Sequence, residues 1–298
     1  MEIDSKIYRL SSLHWYISRL SDRRSTDYSL WDALLNPFSI DWLNRYRRVV
    51  AKITECELDP QMVLDVGSGG GGIARFVCGG SFGIVVVDVR REVFSFRTRS
   101  VERIIADSGF LPFRDRSFGA ATCVDLIEHI PRDSRNKCLQ EIVRVANIVV
   151  MTFPTTSRDG LYRAKEYDAM FQQWHMETFG REDEATAEHM RLGIPSIDEV
   201  RRLIPCMSIT GIHNCDVWYR HMKLGKLPLI RYFTGILYYA LWKKYDNRPP
   251  FWGVVICYGT HHAHRRRKFA KVVTEEVLPS RTRLHRRNPQ SIGNSRHL

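Results

Sequence analysis

A chain of 298 residues with 44% hydrophobic and 26% charged positions can bury a substantial core, which excludes a disordered or fibrous protein. Its seven cysteines are scattered with no C-x-x-C pair, which argues against a structural zinc site and for a reducing compartment. The net charge of +12 is unevenly placed: residues 261–298 hold ten Lys/Arg against two acids, so most of the basicity belongs to a tail.

Charges from Glu2 onward do not form a signal-peptide pattern, and a cytoplasmic location is expected. Residues 1–55 read as helical, with Trp31, Leu34, Leu35 and then Trp42, Leu43, Tyr46, Val49, Val50 and Ile53 at helical spacing. The strand Met62–Val66 then carries Asp65 into the turn Gly67-Ser68-Gly69-Gly70-Gly71-Gly72, and Ile73 onward reads as a helix. Glycines belong where a backbone turns sharply and lies against a ligand, so this unit is suited to a nucleotide-like cofactor. Gly83–Asp88 reads as a second buried strand whose terminal carboxylate is placed to accept both hydroxyls of a ribose. Val101 to Asp107 forms a third strand running to an acid. After Leu111-Pro112-Phe113 and Ser117-Phe118-Gly119, a fourth runs from Ala120 to Asp125. Acids at successive strand ends line the crevice where open α/β sheets bind ligands. A helix from Asp133 to Val145, a fifth strand Ile148–Phe153, a helix Ile197–Leu203, and strands Met207–Ile212 and Trp252–Tyr258 complete seven strands.

The glycine turn by itself fits two cofactors. Gly67, Gly69 and Gly72 satisfy the dinucleotide pattern G-x-G-x-x-G with Asp88 about 20 residues on, which keeps a nicotinamide-dependent oxidoreductase in view. Gly67, Gly69 and Gly71 satisfy the Asp-x-Gly-x-Gly-x-Gly form of class I S-adenosylmethionine (SAM) methyltransferases, which this segment resembles. Asp65 favours the second: a carboxylate repels a pyrophosphate, whereas SAM carries a sulfonium and an ammonium. In order and spacing, residues 60–155 closely resemble the methyltransferase family of the ubiquinone and menaquinone biosynthesis enzymes. Gly119 departs from it, where Asp is usual after Ser-Phe. The resemblance implies a Rossmann-like, mostly parallel sheet in the order 3-2-1-4-5-7-6 with the seventh strand antiparallel. It also implies SAM as cofactor. The methionine moiety would lie on Asp65, Gly67 and Gly69, the ribose on Asp88, the adenine amino group near Asp107 and Ser108, and Asp125 over the cofactor.

Around this domain (56–260) lie an N-terminal helical lid (1–55) and a basic tail (261–298) that reads as disordered. Two insertions are expected to set the acceptor. The first, about 155–194, offers His175 and His189 as general bases, and His129 after the fourth strand is a third candidate. His175-x-Glu177 with Glu188-His189 also permits an oxygen/nitrogen metal site, although no metal is expected. The second, about 219–248, is apolar and aromatic and is expected as a helix over the sheet. Its flanking lysines, with the tail, permit peripheral membrane contact. The favoured acceptor is a small molecule, sugar or lipid-linked metabolite. The basic balance also admits an RNA methyltransferase, but no Asn/Asp-Pro-Pro-aromatic motif follows the fourth strand.

Overall fold

The computed structural model describes residues 40–55, 62–69, 72–75, 83–92, 101–205, 207–228 and 230–259. Gly71, the tail and most of the expected lid lie outside the described residues. Helix α1 (Ile40–Glu55) precedes the strands β1 (Met62–Val66), β2 (Gly83–Asp88), β3 (Val101–Ile105) and β4 (Phe118–Val124). Then come α2 (Arg132–Val145), β5 (Ala146–Pro154), α3 (Ala164–Phe179), α4 (Glu184–Leu192) and α5 (Ile197–Leu203). β6 (Ser208–Asn214), α6 (Cys215–Lys226) and β7 (Phe251–Gly259) close the chain.

The strands form one sheet in the order β3-β2-β1-β4-β5-β7-β6, parallel throughout except for β7, which is antiparallel to β5 and β6. The expected order and the reversed strand are both present. The run Val63-Leu64 sends one side chain to each face, so the central strands need apolar residues at every position. On one face Tyr46, Val49 and Ile53 of α1 pack against Val63, Ala120, Val150 and Val255. On the other, Leu139, Ile142 and Val145 of α2 and Ile197 and Val200 of α5 cover Leu64, Ala121, Val149 and Ile256. Each such buried side chain contributes roughly 1.5–3 kcal/mol. Helix α1 is therefore a wall of the core. Cys123 and Cys257 are buried among these apolar residues, as their surroundings in the sequence suggest.

The first insertion forms α3 and α4. Tyr167 and Phe171 pack there with Trp218 of α6 and Trp252 of β7, whose two rings stack with centroids 4.7 Å apart. The second insertion is helical from Ile230 to Trp242, and the expectation it corrects is where it packs, which is against α6 and not over the sheet. After α6 the chain breaks at Leu227-Pro228. It continues as one tight turn (Ile230–Phe233), one α-turn (Thr234–Leu237) and a widened turn (Tyr238–Trp242). A proline has no N–H to extend α6, which ends with Lys226. Tyr238 then packs on Val217 of α6 and donates its hydroxyl to Asp246 at 2.7 Å. Among the described residues no helix is long and apolar enough to cross a membrane.

Candidate functional site

The strand order reverses between β1 and β4, and the crevice at their carboxyl ends is where an open sheet of this kind receives a ligand. The glycine turn is tied to the neighbouring strand. The Gly67 and Ser68 amides donate to the Val87 carbonyl (2.8 and 3.2 Å), and the Gly69 amide donates to Asp88 Oδ2 (3.0 Å). Gly67 and Gly72 stand at φ +71° and +47°. A Cβ on the first would lie 2.8 Å from Leu126, and on the second 1.8 Å from Asp65 Oδ2.

Asp65 is fully buried beneath this turn. Its Oδ2 accepts from the Ile73 amide (2.9 Å) and its Oδ1 from the Thr122 hydroxyl (2.7 Å), while burial pushes the carboxyl up to about 7. The side chain acts through the turn, which it locks in shape. Gly72, which the sequence offers only through the dinucleotide pattern, is required here by the Asp65 carboxyl.

Three features fit an adenosine-type ligand. The Ser68 hydroxyl is buried in the turn without a hydrogen-bond partner. Asp88 ends β2, its Oδ1 accepting from the Arg90 amide at 2.9 Å. Beyond β3, Asp107 is exposed and accepts from the Gly109 amide at 2.7 Å, and Ser108 turns to the Cys138 thiol. Beside these acids Val89, Ile105 and Phe110 are 66%, 56% and 66% exposed, an apolar rim suited to a flat ring. Sequence reasoning missed this rim, although an apolar residue directly after a strand-ending acid, as Val89 follows Asp88, is a usable signal.

At the end of β4, Asp125 adopts φ +52° and pairs with Arg45 of α1 at 2.7 Å. The Arg45 guanidinium lies 5.2 Å from the centre of the Trp252 ring. Four residues beyond Asp125, His129 meets His189 of α4 with ring centroids 5.0 Å apart. Each ring has a carboxylate on Nδ1 at 2.7 Å, from Glu188 for His129 and from the buried Asp168 of α3 for His189. Asp168 also accepts from the Trp252 indole N–H at 2.6 Å. Burial, then the neighbouring His189, lowers the pKa of His129. Glu128 is 1% exposed; burial, then the Asp125 charge, raises its carboxyl pKa well above the usual range. Glu128, His129 and His189 each present one donor atom within 4.8 Å of the others.

Arg135 of α2 holds this arrangement from behind. Its buried guanidinium donates to the carbonyls of Ile127 (3.0 Å) and Ile130 (2.9 Å) and to those of Leu192 (3.1 Å) and Gly193.

His175, the other expected base, does not join the cluster. Its Nδ1 lies 2.8 Å from the Arg181 carbonyl, and Phe171, Trp174 and Phe179 surround the ring. Seven positions past Asp168 on α3, it sits about two turns away and closes the α3–α4 connection. The His175-x-Glu177 metal arrangement is not formed either, since Glu177 accepts from Gln173 at 2.9 Å.

A family model described as a methyltransferase domain matches residues 63–147. A demethylmenaquinone methyltransferase from Thermotoga maritima is 27% identical over 165 residues, covering 52% of this chain and 69% of that protein. Among solved structures, the PH0226 protein from Pyrococcus horikoshii shares 22% identity over 42% of this chain and 64% of its own, at a TM-score of 0.34. A putative methyltransferase from an antibiotic biosynthesis pathway of Anabaena variabilis shares 16% identity over 70% of this chain and 96% of its own, at 0.45.

Proposed function

We propose that this chain, a SAM-dependent methyltransferase, moves the SAM methyl group to a small-molecule or lipid-linked acceptor. SAM supplies an activated methyl group when bound, so alignment and exclusion of water account for much of the rate. The Gly67–Gly69 backbone, shaped by Asp65, receives the methionine moiety. Asp88 holds the ribose diol. Asp107 and Ser108 approach the adenine, with Val89, Ile105 and Phe110 against its faces. Asp125, fixed by Arg45, borders the methyl-transfer position.

The observation that carries the acceptor side is the polar cluster Glu128–His129–His189 set against the end of β4. It is walled by α3 and α4, the insertion that follows β5. His129 and His189, and not His175, face the acceptor in this reading. A lipid-linked acceptor is supported by the second insertion, where Phe233 and Leu241 are 55% and 51% exposed beside Arg231, Lys243 and Lys244. The sequence relative from Thermotoga maritima is named for demethylmenaquinone, which points the same way.

The test is transfer of labelled methyl from SAM into a lipid extract, a polar metabolite extract and total RNA, run side by side. Label in the lipid or small-molecule fraction supports the proposal. Label confined to RNA refutes it in favour of the nucleic-acid reading. SAM binding by calorimetry with no label in any fraction leaves a binding module.

A further inference from the structure

We propose that Glu128, His129 and His189 bind one divalent transition-metal ion. Three observations meet at this point. The first is the Glu128 carboxylate, 1% exposed, whose two oxygens both lack a hydrogen-bond partner among the described residues. An uncompensated carboxylate in a protein interior is costly, and interiors pair it, neutralise it or give it to a cation. Of the cations close by, Arg45 is turned to Asp125 at 2.7 Å and Arg135 gives its guanidinium to main-chain carbonyls.

The second observation is the state of the two rings. Glu188 and Asp168 occupy the Nδ1 positions of His129 and His189, both at 2.7 Å. A carboxylate on Nδ1 holds the proton there and presents Nε2 as a free lone pair, which is how metal-binding histidines are usually oriented. His175, His213 and His221 are also buried, but none of them carries both this backing and a neighbouring free carboxylate in a three-donor group. The third observation is distance, since one donor atom from each of the three residues lies within 4.8 Å of the other two.

Two imidazoles and one carboxylate with no thiolate suit Zn²⁺, Mn²⁺, Fe²⁺ or Co²⁺ and disfavour Ca²⁺ and Mg²⁺ as resident ions. Three protein donors leave coordination positions open to water or to an oxygen of a ligand in the crevice. The ligands come from two separate elements, the segment after β4 and helix α4. An ion would therefore cross-link the nucleotide-binding core to the first insertion.

The experiment uses the full, tag-free chain stripped with a chelator and titrated with Co²⁺, followed by visible absorption and by competition with Zn²⁺. His261, His262 and His264 offer a second place for metal, so the readout is the difference between wild type and variants. One Co²⁺ per chain should bind with a ligand-field spectrum that the H129A/H189A double variant loses. Asp168→Asn should weaken that binding by about ten- to a hundredfold, as loss of such a supporting carboxylate does. Glu128→Gln keeps the shape and guards against misfolding as the cause. Co²⁺ should raise the melting temperature of wild type but not of E128Q. Equal stoichiometry and spectrum in wild type and H129A/H189A, or an equal thermal response in E128Q, overturns the proposal. The site stands independently of methyl transfer: SAM calorimetry on the same stripped protein reports on that reading separately.

Discussion

Replacing Gly72 by alanine tests the central claim about the turn, that Asp65 shapes it from below. The new Cβ would lie 1.8 Å from Asp65 Oδ2, and the backbone at that position has φ +47°. Left-handed strain for a non-glycine residue costs about 1–2 kcal/mol. Because Asp65 is fully buried, its carboxyl must swing away and give up the Ile73 amide, a buried donor whose orphaning costs about 1–3 kcal/mol. Crowding in a packed site adds about 1–3 kcal/mol. The total, roughly 3–8 kcal/mol by these increments, is a large share of an ordinary domain's stability. Gly69 is the internal control: it has φ +53° but nothing within 4 Å of its would-be Cβ, so Gly69→Ala should cost only the strain. Urea denaturation should rank wild type above G69A and G69A well above G72A. SAM calorimetry at low temperature should show G72A weakened in parallel. Equal midpoints for the two variants would refute the role given to Asp65.

Asp88→Ala should weaken SAM binding by about 1.5–3 kcal/mol, the scale of a hydrogen bond to a charged group; unchanged affinity in calorimetry would remove the ribose assignment. Asp65 also makes stability depend on pH. Its folded pKa of about 7 lies above the unfolded value of 3.8, so the contribution is full below about pH 4 and is lost as pH rises toward 7. Its size is on the order of 4 kcal/mol, and the difference in stability between wild type and Asp65→Asn should move in that direction across the window. Arg45→Ala removes the ion pair with Asp125 and bares the Trp252 ring, and should cost about 2–3 kcal/mol in denaturation experiments. His175→Ala should lower stability by about 1–3 kcal/mol through the lost bond to the Arg181 carbonyl and leave SAM affinity alone, whereas an undiminished denaturation midpoint would contradict its structural role.

The sheet was legible because its signals are local and repeat. Runs such as Ile84-Val85-Val86-Val87 can only be strands covered on both faces, and a glycine turn after Asp65 has few other uses. The strand order came from resemblance, since no periodicity encodes which strands are neighbours. What stayed hidden depends on tertiary contact. His175 and His189 look alike in sequence, each close to a glutamate. Only the packing of α3 on α4 puts Asp168 behind one ring and the Arg181 carbonyl behind the other. Nothing in the sequence around Glu128 signals its burial, which is set by the core around Ile127 and Leu139. The second insertion misled because composition reports apolar content and not which surface that content will meet, here Val217 of α6.

Arg135 grips only main-chain oxygens, two on the segment after β4 and two at the end of α4. A lysine offers a point charge where four acceptors in two directions require a planar fork, so even Arg135→Lys should release one segment. The separation of His129 from His189 is thus governed by a side chain on a third helix that touches neither ring. As a consequence, the first insertion cannot lift from the crevice by small adjustments. It either moves with the β4 segment as one body or breaks several buried bonds together. Amide exchange at 127–130 and 192–193 should therefore proceed in step, in a single cooperative opening, and Arg135→Lys should separate the two rates.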